Sequence, residues 1–251
     1  MSVAYMNEEF AYYHNLWNEK KREGKEKFSS GAPLSKCIST VSLMLSDTFS
    51  GKKRYMSFEN IKKIVKDLQA INYDGAVSLS LYGEPFDGSN VFEIAEYIKD
   101  ELLNASVFLY TNGLYVNESA KDNINETIDL LTVKVSDERE LERIRNLDIR
   151  TGLYAFMENF DVGIIKYIQK DEGSFVSMPC SSLIDKVVVS PVGDICLCDV
   201  HQEQNCNIGN IFEKMSFEKV IDSPKIRNIQ GELLSGNREL FDVCKVCGRV
   251  L

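Results

Sequence analysis

The sequence is poor in several residue types that common functions require. It has 2 histidines and 1 tryptophan in 251 residues, and its net charge is −9. So few histidines argue against a histidine-rich metal site and against a hydrolase triad. The negative charge argues against nucleic acid as a general partner. No apolar run approaches the roughly 18 residues that cross a membrane, so no membrane partner is expected.

Cysteine is also missing from most of the chain. No cysteine lies between Cys37 and Cys180, whereas six of the seven lie within the 68 residues from 180 to 247. Nothing at the N-terminus resembles a signal peptide, so we expect a cytoplasmic, reducing location without disulfides. Cysteines this dense favour a metal-binding role over packing as small apolar side chains.

The spacing of these cysteines predicts one four-thiolate site. A β-hairpin is predicted over residues 184–198, with a turn at Gly193, which is free to take positive φ. The hairpin would bring Cys198 back towards Cys180. The CxxC pair at the end of the sequence can then complete the site. The predicted ligands are Cys180, Cys198, Cys244 and Cys247.

Before the cysteine region, apolar segments alternate in a β/α pattern. Strands are predicted at residues 38–45, 77–81, 106–110, 128–135 and 149–156. Helices are predicted after Ser57, after Ser89, and over residues 118–126 and 137–146. This alternation favours parallel βα units, too few for a closed eight-stranded barrel. The predicted fold class is α/β, a partial (β/α) barrel of about five to six parallel strands with a small C-terminal hairpin/helix cysteine domain.

Three regions are predicted along the chain. Residues 1–30 form an N-terminal helical extension, because aromatic residues are followed there by interleaved lysines and glutamates. Residues 31–170 form the partial barrel, and residues 171–251 form the cysteine domain.

The cysteine region resembles the auxiliary-cluster Twitch domain of radical S-adenosylmethionine (SAM) enzymes, the shorter relative of the SPASM domain. Twelve residues separate Cys180 from Gly193, and four separate Gly193 from Cys198, as in that family. The Ile-Gly-Asn-Ile segment at 208–211 is similar to one that follows the family's hairpin. The resemblance implies one auxiliary 4Fe–4S cluster held by the four predicted ligands, with Cys196 and Cys206 outside the ligand set.

Two loops of the predicted barrel extend the resemblance. Residues 82–85 (Tyr-Gly-Glu-Pro) resemble the family's GGEP motif, with Tyr82 in place of the first glycine, and residues 111–113 match its TNG motif. In that family the first loop contacts the amino group of SAM. Both loops follow strands, so they are expected to meet at the C-terminal edge of the sheet. The SAM-binding candidates are Gly83, Glu84, Pro85, Thr111, Asn112 and Gly113.

The loop after the first strand departs from the family. Members carry three cysteines there, which hold the cluster that cleaves SAM, whereas residues 45–57 contain none. Ser46 and Asp47 are oxygen donors, poorly suited to iron–sulfur chemistry, and Lys52–Arg54 adds positive charge. The resemblance therefore implies a degenerate member that does not cleave SAM, although SAM could still bind.

Three functions are compatible with these observations. The leading interpretation is an accessory protein, which relays electrons or presents a substrate to an intact radical SAM enzyme. The second is an enzyme with non-standard chemistry on a small anionic or nucleotide-like ligand, with Lys52–Arg54 facing a phosphate. The third is a structural zinc site, because zinc also accepts four thiolates and spacing alone does not separate the metals.

Overall fold

The computed structural model describes residues 4–47, 53–79, 83–157, 177–198, 207–213, 215–245 and 247. Lys52, Tyr82 and Cys206 lie outside the described residues, as does the predicted domain boundary at residue 170. The strands are β1 (Ala4–Met6), β2 (Thr40–Leu43), β3 (Ser46–Asp47), β4 (Arg54–Tyr55), β5 (Ala76–Leu79), β6 (Ser106–Thr111), β7 (Leu130–Val135), β8 (Gly152–Met157), β9 (Val187–Val189), β10 (Asp194–Cys196) and β11 (Asn207–Asn210).

The helices alternate with these strands in the first half and gather at the C-terminus. The α-helices are α1 (Glu8–Ser29), α2 (Phe58–Ala70), α3 (Val91–Glu101), α4 (Lys121–Thr127), α5 (Glu138–Arg145), α6 (Ser182–Asp185), α7 (Phe217–Ile221), α8 (Pro224–Leu234) and α9 (Asp242–Lys245). Short 3₁₀ turns lie at Leu34–Lys36 and Arg238–Leu240. No helix in the described ranges is long and apolar enough to cross a membrane.

One twisted sheet forms the centre of the molecule. Within the described residues its strand order is β1-β8-β7-β6-β5-β2-β9-β10-β11. The five predicted strands appear as β2, β5, β6, β7 and β8, and each pairs in parallel with its neighbour. The predicted α/β class with a parallel sheet is therefore confirmed.

The pairing of strands at the two edges of the sheet was not predicted from the sequence. Strand β1 pairs antiparallel with β8, so the N-terminal region contributes a strand as well as the predicted helix. Strand β9 of the predicted hairpin pairs in parallel with β2, and β10 and β11 continue the sheet in antiparallel fashion. The hairpin that leads to Cys198 is thus continuous with the barrel sheet.

Helical periodicity predicted the packing of the outer helices. Helix α2 buries Ile61, Ile64, Val65 and Leu68, and α3 buries Val91, Ile94, Ala95 and Ile98. The Ser57 hydroxyl accepts a hydrogen bond from the backbone N–H of Asn60 and caps α2, as predicted. The prediction of Ser89 as the cap of α3 was wrong by one residue, because Asn90 occupies that position.

Helix α1 packs against the opposite face of the sheet. The Trp17 indole N–H donates to the Thr40 hydroxyl over 2.8 Å, and its ring meets Phe108 edge-on. Nearer the start of the helix, Phe10 contacts the ring of Tyr154. Because side chains alternate along a strand, Thr40, Phe108 and Tyr154 lie on the face opposite the outer helices.

Candidate metal centre

The four predicted cysteines lie together in the C-terminal region. Cys180 directly precedes the turn into α6, Cys198 follows β10, Cys244 lies in α9, and Cys247 follows α9. Burial, together with electrostatic interaction with the other three thiols, raises the pKa of Cys244 to about 12. Such interactions act over short distances, so the four thiols are neighbours. Their assignment as ligands remains a prediction.

Buried polar side chains fix the backbone around two of these cysteines. The N–H of Cys180 donates to the carbonyl of Leu233 over 2.8 Å, and the Gln230 amide donates to the Cys180 carbonyl over 3.3 Å. The Ser182 hydroxyl donates to the carbonyl of Leu197, the residue before Cys198. Helices α6 and α8 therefore place Cys180 and Cys198 relative to each other.

Arg238 connects the other segments of the site. Its side chain is 1% exposed, and its guanidinium donates to the carbonyl oxygens of Met178, Pro179 and Cys247 over 2.6, 3.0 and 3.1 Å. Its positive charge also lowers the pKa of Cys244, against the larger effect of burial. Sequence reasoning missed Arg238, because Asn-Arg-Glu at 237–239 resembles an ordinary solvated segment.

The donor set limits the groups that these residues fit. Four cysteine thiolates are the ligands that a 4Fe–4S cluster takes. The zinc alternative is not supported. Among the residues that the structure describes, no three or more His, Cys, Asp or Glu side chains are placed to hold a single metal ion. Thiolates are soft donors, and their chemistry suits an iron–sulfur cluster.

Cys37 and Cys196 have other surroundings. Cys37 is buried, its thiol contacts the carbonyl of Pro33, and the charges that act on it are those of Lys27, Asp222 and Arg227. Cys196 is buried in β10 and acts electrostatically on Arg54.

The two motif loops of the barrel meet, as predicted, where β5 and β6 end. The Thr111 hydroxyl donates to Glu84 Oε1 over 2.7 Å, and the N–H of Asn112 donates to Glu84 Oε2 over 2.8 Å. Both carboxylate oxygens of Glu84 therefore brace the two loops. Gly83 adopts a φ of +81°, and a Cβ there would lie 2.8 Å from the Ser46 hydroxyl, so only glycine allows this approach to the first loop.

The first loop is closed by an ion pair. Strands β3 and β4 form a short antiparallel hairpin, in which Arg54 contacts both carboxylate oxygens of Asp47 over 2.9 Å. The Asp47 side chain is 0% exposed. Beside it, the Lys53 ammonium lies 2.9 Å from Asp87. The described cations of this loop are thus paired with carboxylates, which counts against a phosphate-facing patch.

Comparison with known proteins agrees with this arrangement. Residues 180–248 match the SPASM iron–sulfur cluster-binding domain, a range that begins at Cys180 and includes Cys247. The S-adenosyl-L-methionine-dependent 2-deoxy-scyllo-inosamine dehydrogenase of Niallia circulans is similar to this chain. The two are 22% identical over 200 residues, which cover 75% of this chain and 79% of that protein.

Solved structures show the same fold. The chain is similar to BtrN in an open conformation, with a TM-score of 0.67, 19% identity, and coverage of 84% of this chain and 92% of that one. BtrN in complex with AdoMet and 2-DOIA gives a TM-score of 0.67, 19% identity, and coverage of 85% and 94%. The structure of anSMEcpe with bound AdoMet gives 0.56, 12%, and 84% of each chain.

Two features therefore agree with the spacing of the cysteines: the partial barrel, and the matched C-terminal domain that covers the same cysteines. The chain thus shares the fold of these solved structures, and its C-terminal part matches the SPASM iron–sulfur cluster-binding domain.

Proposed function

We propose that the chain binds one 4Fe–4S cluster through Cys180, Cys198, Cys244 and Cys247 and acts as an accessory partner of an intact radical SAM enzyme. In this role it relays electrons or presents a substrate, and it does not itself cleave SAM. The observation that carries the proposal is a contrast. Four thiols of the C-terminal region are grouped together, whereas the loop after the first strand holds none.

The surroundings of the four thiols support an electron-transfer role. A 4Fe–4S cluster, when bound, exchanges single electrons. Four protein thiolates leave no position on it for an external ligand, so such a site suits electron transfer better than activation of a substrate. Cys180, Cys198 and Cys247 are half-buried, which places the site close enough to the surface for exchange with a partner protein.

The residues at the barrel mouth support the proposal that the chain does not cleave SAM. Cleavage in the radical SAM family requires a cluster held by three cysteines after the first strand, and residues 38–179 contain no cysteine. The Asp47–Arg54 ion pair closes that loop instead. Each oxygen of the Glu84 carboxylate accepts one hydrogen bond from the neighbouring loop, which leaves lone pairs free, so SAM binding and SAM cleavage have to be measured separately.

Binding of a small hydroxyl-bearing ligand in the barrel is a second candidate function. The hydroxyls of Ser42 and Tyr154 are buried on the sheet face that α1 packs against, and neither has a hydrogen-bond partner in the described residues. Burial raises the pKa of Tyr154, which keeps its phenol protonated and able to donate. Buried polar groups are normally paired, so these hydroxyls favour a polar ligand.

An anaerobic reconstitution tests the leading proposal. The purified chain is loaded with iron and sulfide, its metals are quantified, and it is then incubated with SAM and a one-electron reductant. We expect about four irons per chain, a brown colour, and no 5′-deoxyadenosine above that of a Cys198→Ala control.

Two results would contradict the proposal. A colourless protein with stoichiometric zinc would reject the cluster. Multiple turnovers of 5′-deoxyadenosine that depend on the reductant and disappear in Cys198→Ala would show that the chain is a SAM-cleaving enzyme. Titration calorimetry with SAM measures binding separately from cleavage.

A further inference from the structure

Arg238 is the largest fully buried side chain among the described residues. It begins the 3₁₀ turn between α8 and α9, just before the CxxC pair. A buried guanidinium requires both hydrogen-bond acceptors and nearby negative charge to be stable. Its position therefore needs a physical explanation beyond packing.

The hydrogen bonds of Arg238 join two distant cysteine segments. Nε and Nη2 bind the carbonyls of Met178 and Pro179, the two residues before Cys180. Nη1 binds the carbonyl of Cys247. One planar fork thus joins Met178 and Pro179 to Cys247, which lies about seventy positions further along the sequence. A lysine ammonium has no such fork and cannot hold three carbonyls in this geometry.

The charge of Arg238 also reaches the thiols. Its guanidinium interacts electrostatically with Cys244, the most buried of the four. Carbonyl oxygens carry only partial charge, whereas a cluster with four thiolate ligands is anionic. Reduction adds one electron from an external reductant and makes that anion more negative by one unit. A fixed positive charge beside it favours the reduced state.

We propose that Arg238 is a positioning residue of the cluster site, which holds the Cys180 and Cys247 segments together and raises the reduction potential of the bound cluster. This inference rests on the proposed function, since it requires that the four cysteines bind a 4Fe–4S cluster.

Three variants separate the two roles of Arg238. Arg238→Gln removes the charge and most of the hydrogen bonds, and Arg238→Lys keeps the charge but loses the fork. Arg227→Gln is the matched control, an arginine of the same region whose side chain is 46% exposed beside Asp222. Each protein is reconstituted anaerobically, and its iron and sulfide contents and its midpoint potential, followed by electron paramagnetic resonance, are measured.

We expect Arg238→Gln to lower the equilibrium constant for reduction at least tenfold, which is 59 mV for a one-electron couple. Arg238→Lys should keep the equilibrium constant for reduction within threefold of the wild-type value. It should retain less than half of the wild-type iron content. Arg227→Gln should match wild type in both measurements, because its charge lies at the surface.

The outcomes distinguish failure of the proposed function from failure of the inference about Arg238. Wild-type protein that takes up no iron–sulfur cluster overturns the proposed function and this inference together. A loaded wild type whose iron content and potential are unchanged in both Arg238 variants overturns the inference alone. If Arg238→Gln does not fold, Arg238→Lys decides, and iron retention equal to wild type would refute the positioning role.

Discussion

The C-terminal thiol site and the loop after the first strand both enclose a buried charged side chain, but the groups around that charge differ. At the first loop the buried group is the Asp47 carboxylate, and Arg54 satisfies both of its oxygens. At the thiol site the buried group is the Arg238 cation, which lies among carbonyls and thiols.

This difference shows in the state of the thiols. The neutral form of Cys244 is favoured, with a pKa of about 12, because the thiol is buried and because three other thiols interact with it. Metal binding would replace the protons of these thiols, whereas the first loop has no thiol. We therefore expect the C-terminal site to depend on a metal group for its stability and the first loop to be independent of it.

The largest expected effect comes from removing a ligand. Replacing Cys180, Cys198, Cys244 or Cys247 by alanine should reduce the iron content from about four per chain to nearly zero, because metal-site free energy is also folding free energy. The C-terminal region should become more sensitive to proteolysis. Iron and sulfide analysis with limited proteolysis measures both changes.

Cys37→Ala is the matched control, since Cys37 is buried beside Pro33 and outside the group of four. It should retain the iron of wild type. Loss of iron in Cys37→Ala comparable to that in the four variants would mean that the cysteines act through general stability rather than as ligands.

A medium effect is expected from the first loop. Asp47→Asn removes a carboxylate that is fully buried and doubly bonded to Arg54, and it should lower the free energy of unfolding by about 2 kcal/mol. Urea unfolding of loaded and metal-free protein measures this change. The loss should be the same in both forms, because the ion pair completes the loop without metal.

The neighbouring ion pair is the control for that experiment. Lys53 and Asp87 are both well exposed, so Lys53→Gln should leave the unfolding midpoint unchanged. If Asp47→Asn destabilises only the metal-loaded form, the two regions are coupled, and the distinction drawn between them is wrong.

Sequence reasoning anticipated the parts of this molecule that depend on local patterns. The parallel strands followed from alternating apolar segments, and the positive φ of Gly193, +86°, followed from its turn. The meeting of Glu84 with Thr111 followed from the rule that strand ends of a parallel sheet share an edge.

Long-range pairing was not accessible in the same way. Nothing local to Ala4–Met6 indicates that it joins β8, and nothing in Val187–Val189 indicates that it extends the barrel beside β2. Arg238 was missed for a related reason. Its burial depends on carbonyls that approach from Met178 and Cys247, which are brought to it only by the complete fold.

The smallest expected effect concerns pH, and it measures how strongly the buried Cys244 thiol holds its proton in metal-free protein. The folded pKa of Cys244, about 12, lies above the ordinary thiol value of 9.0, so the native state binds this proton more tightly than the unfolded state does. The resulting stability is complete below pH 9 and is lost as the pH rises towards 12. Between pH 7 and 10, metal-free wild type should therefore lose about 1 kcal/mol more unfolding free energy than Cys244→Ala, which lacks the thiol. Urea titrations under anaerobic conditions at both pH values give this difference, and they cancel the contribution of other groups, such as the buried Tyr73, that titrate in both proteins. If the two proteins lose the same unfolding free energy, Cys244 is not held in the neutral form. The thiol site and the first loop would then not differ in their electrostatics.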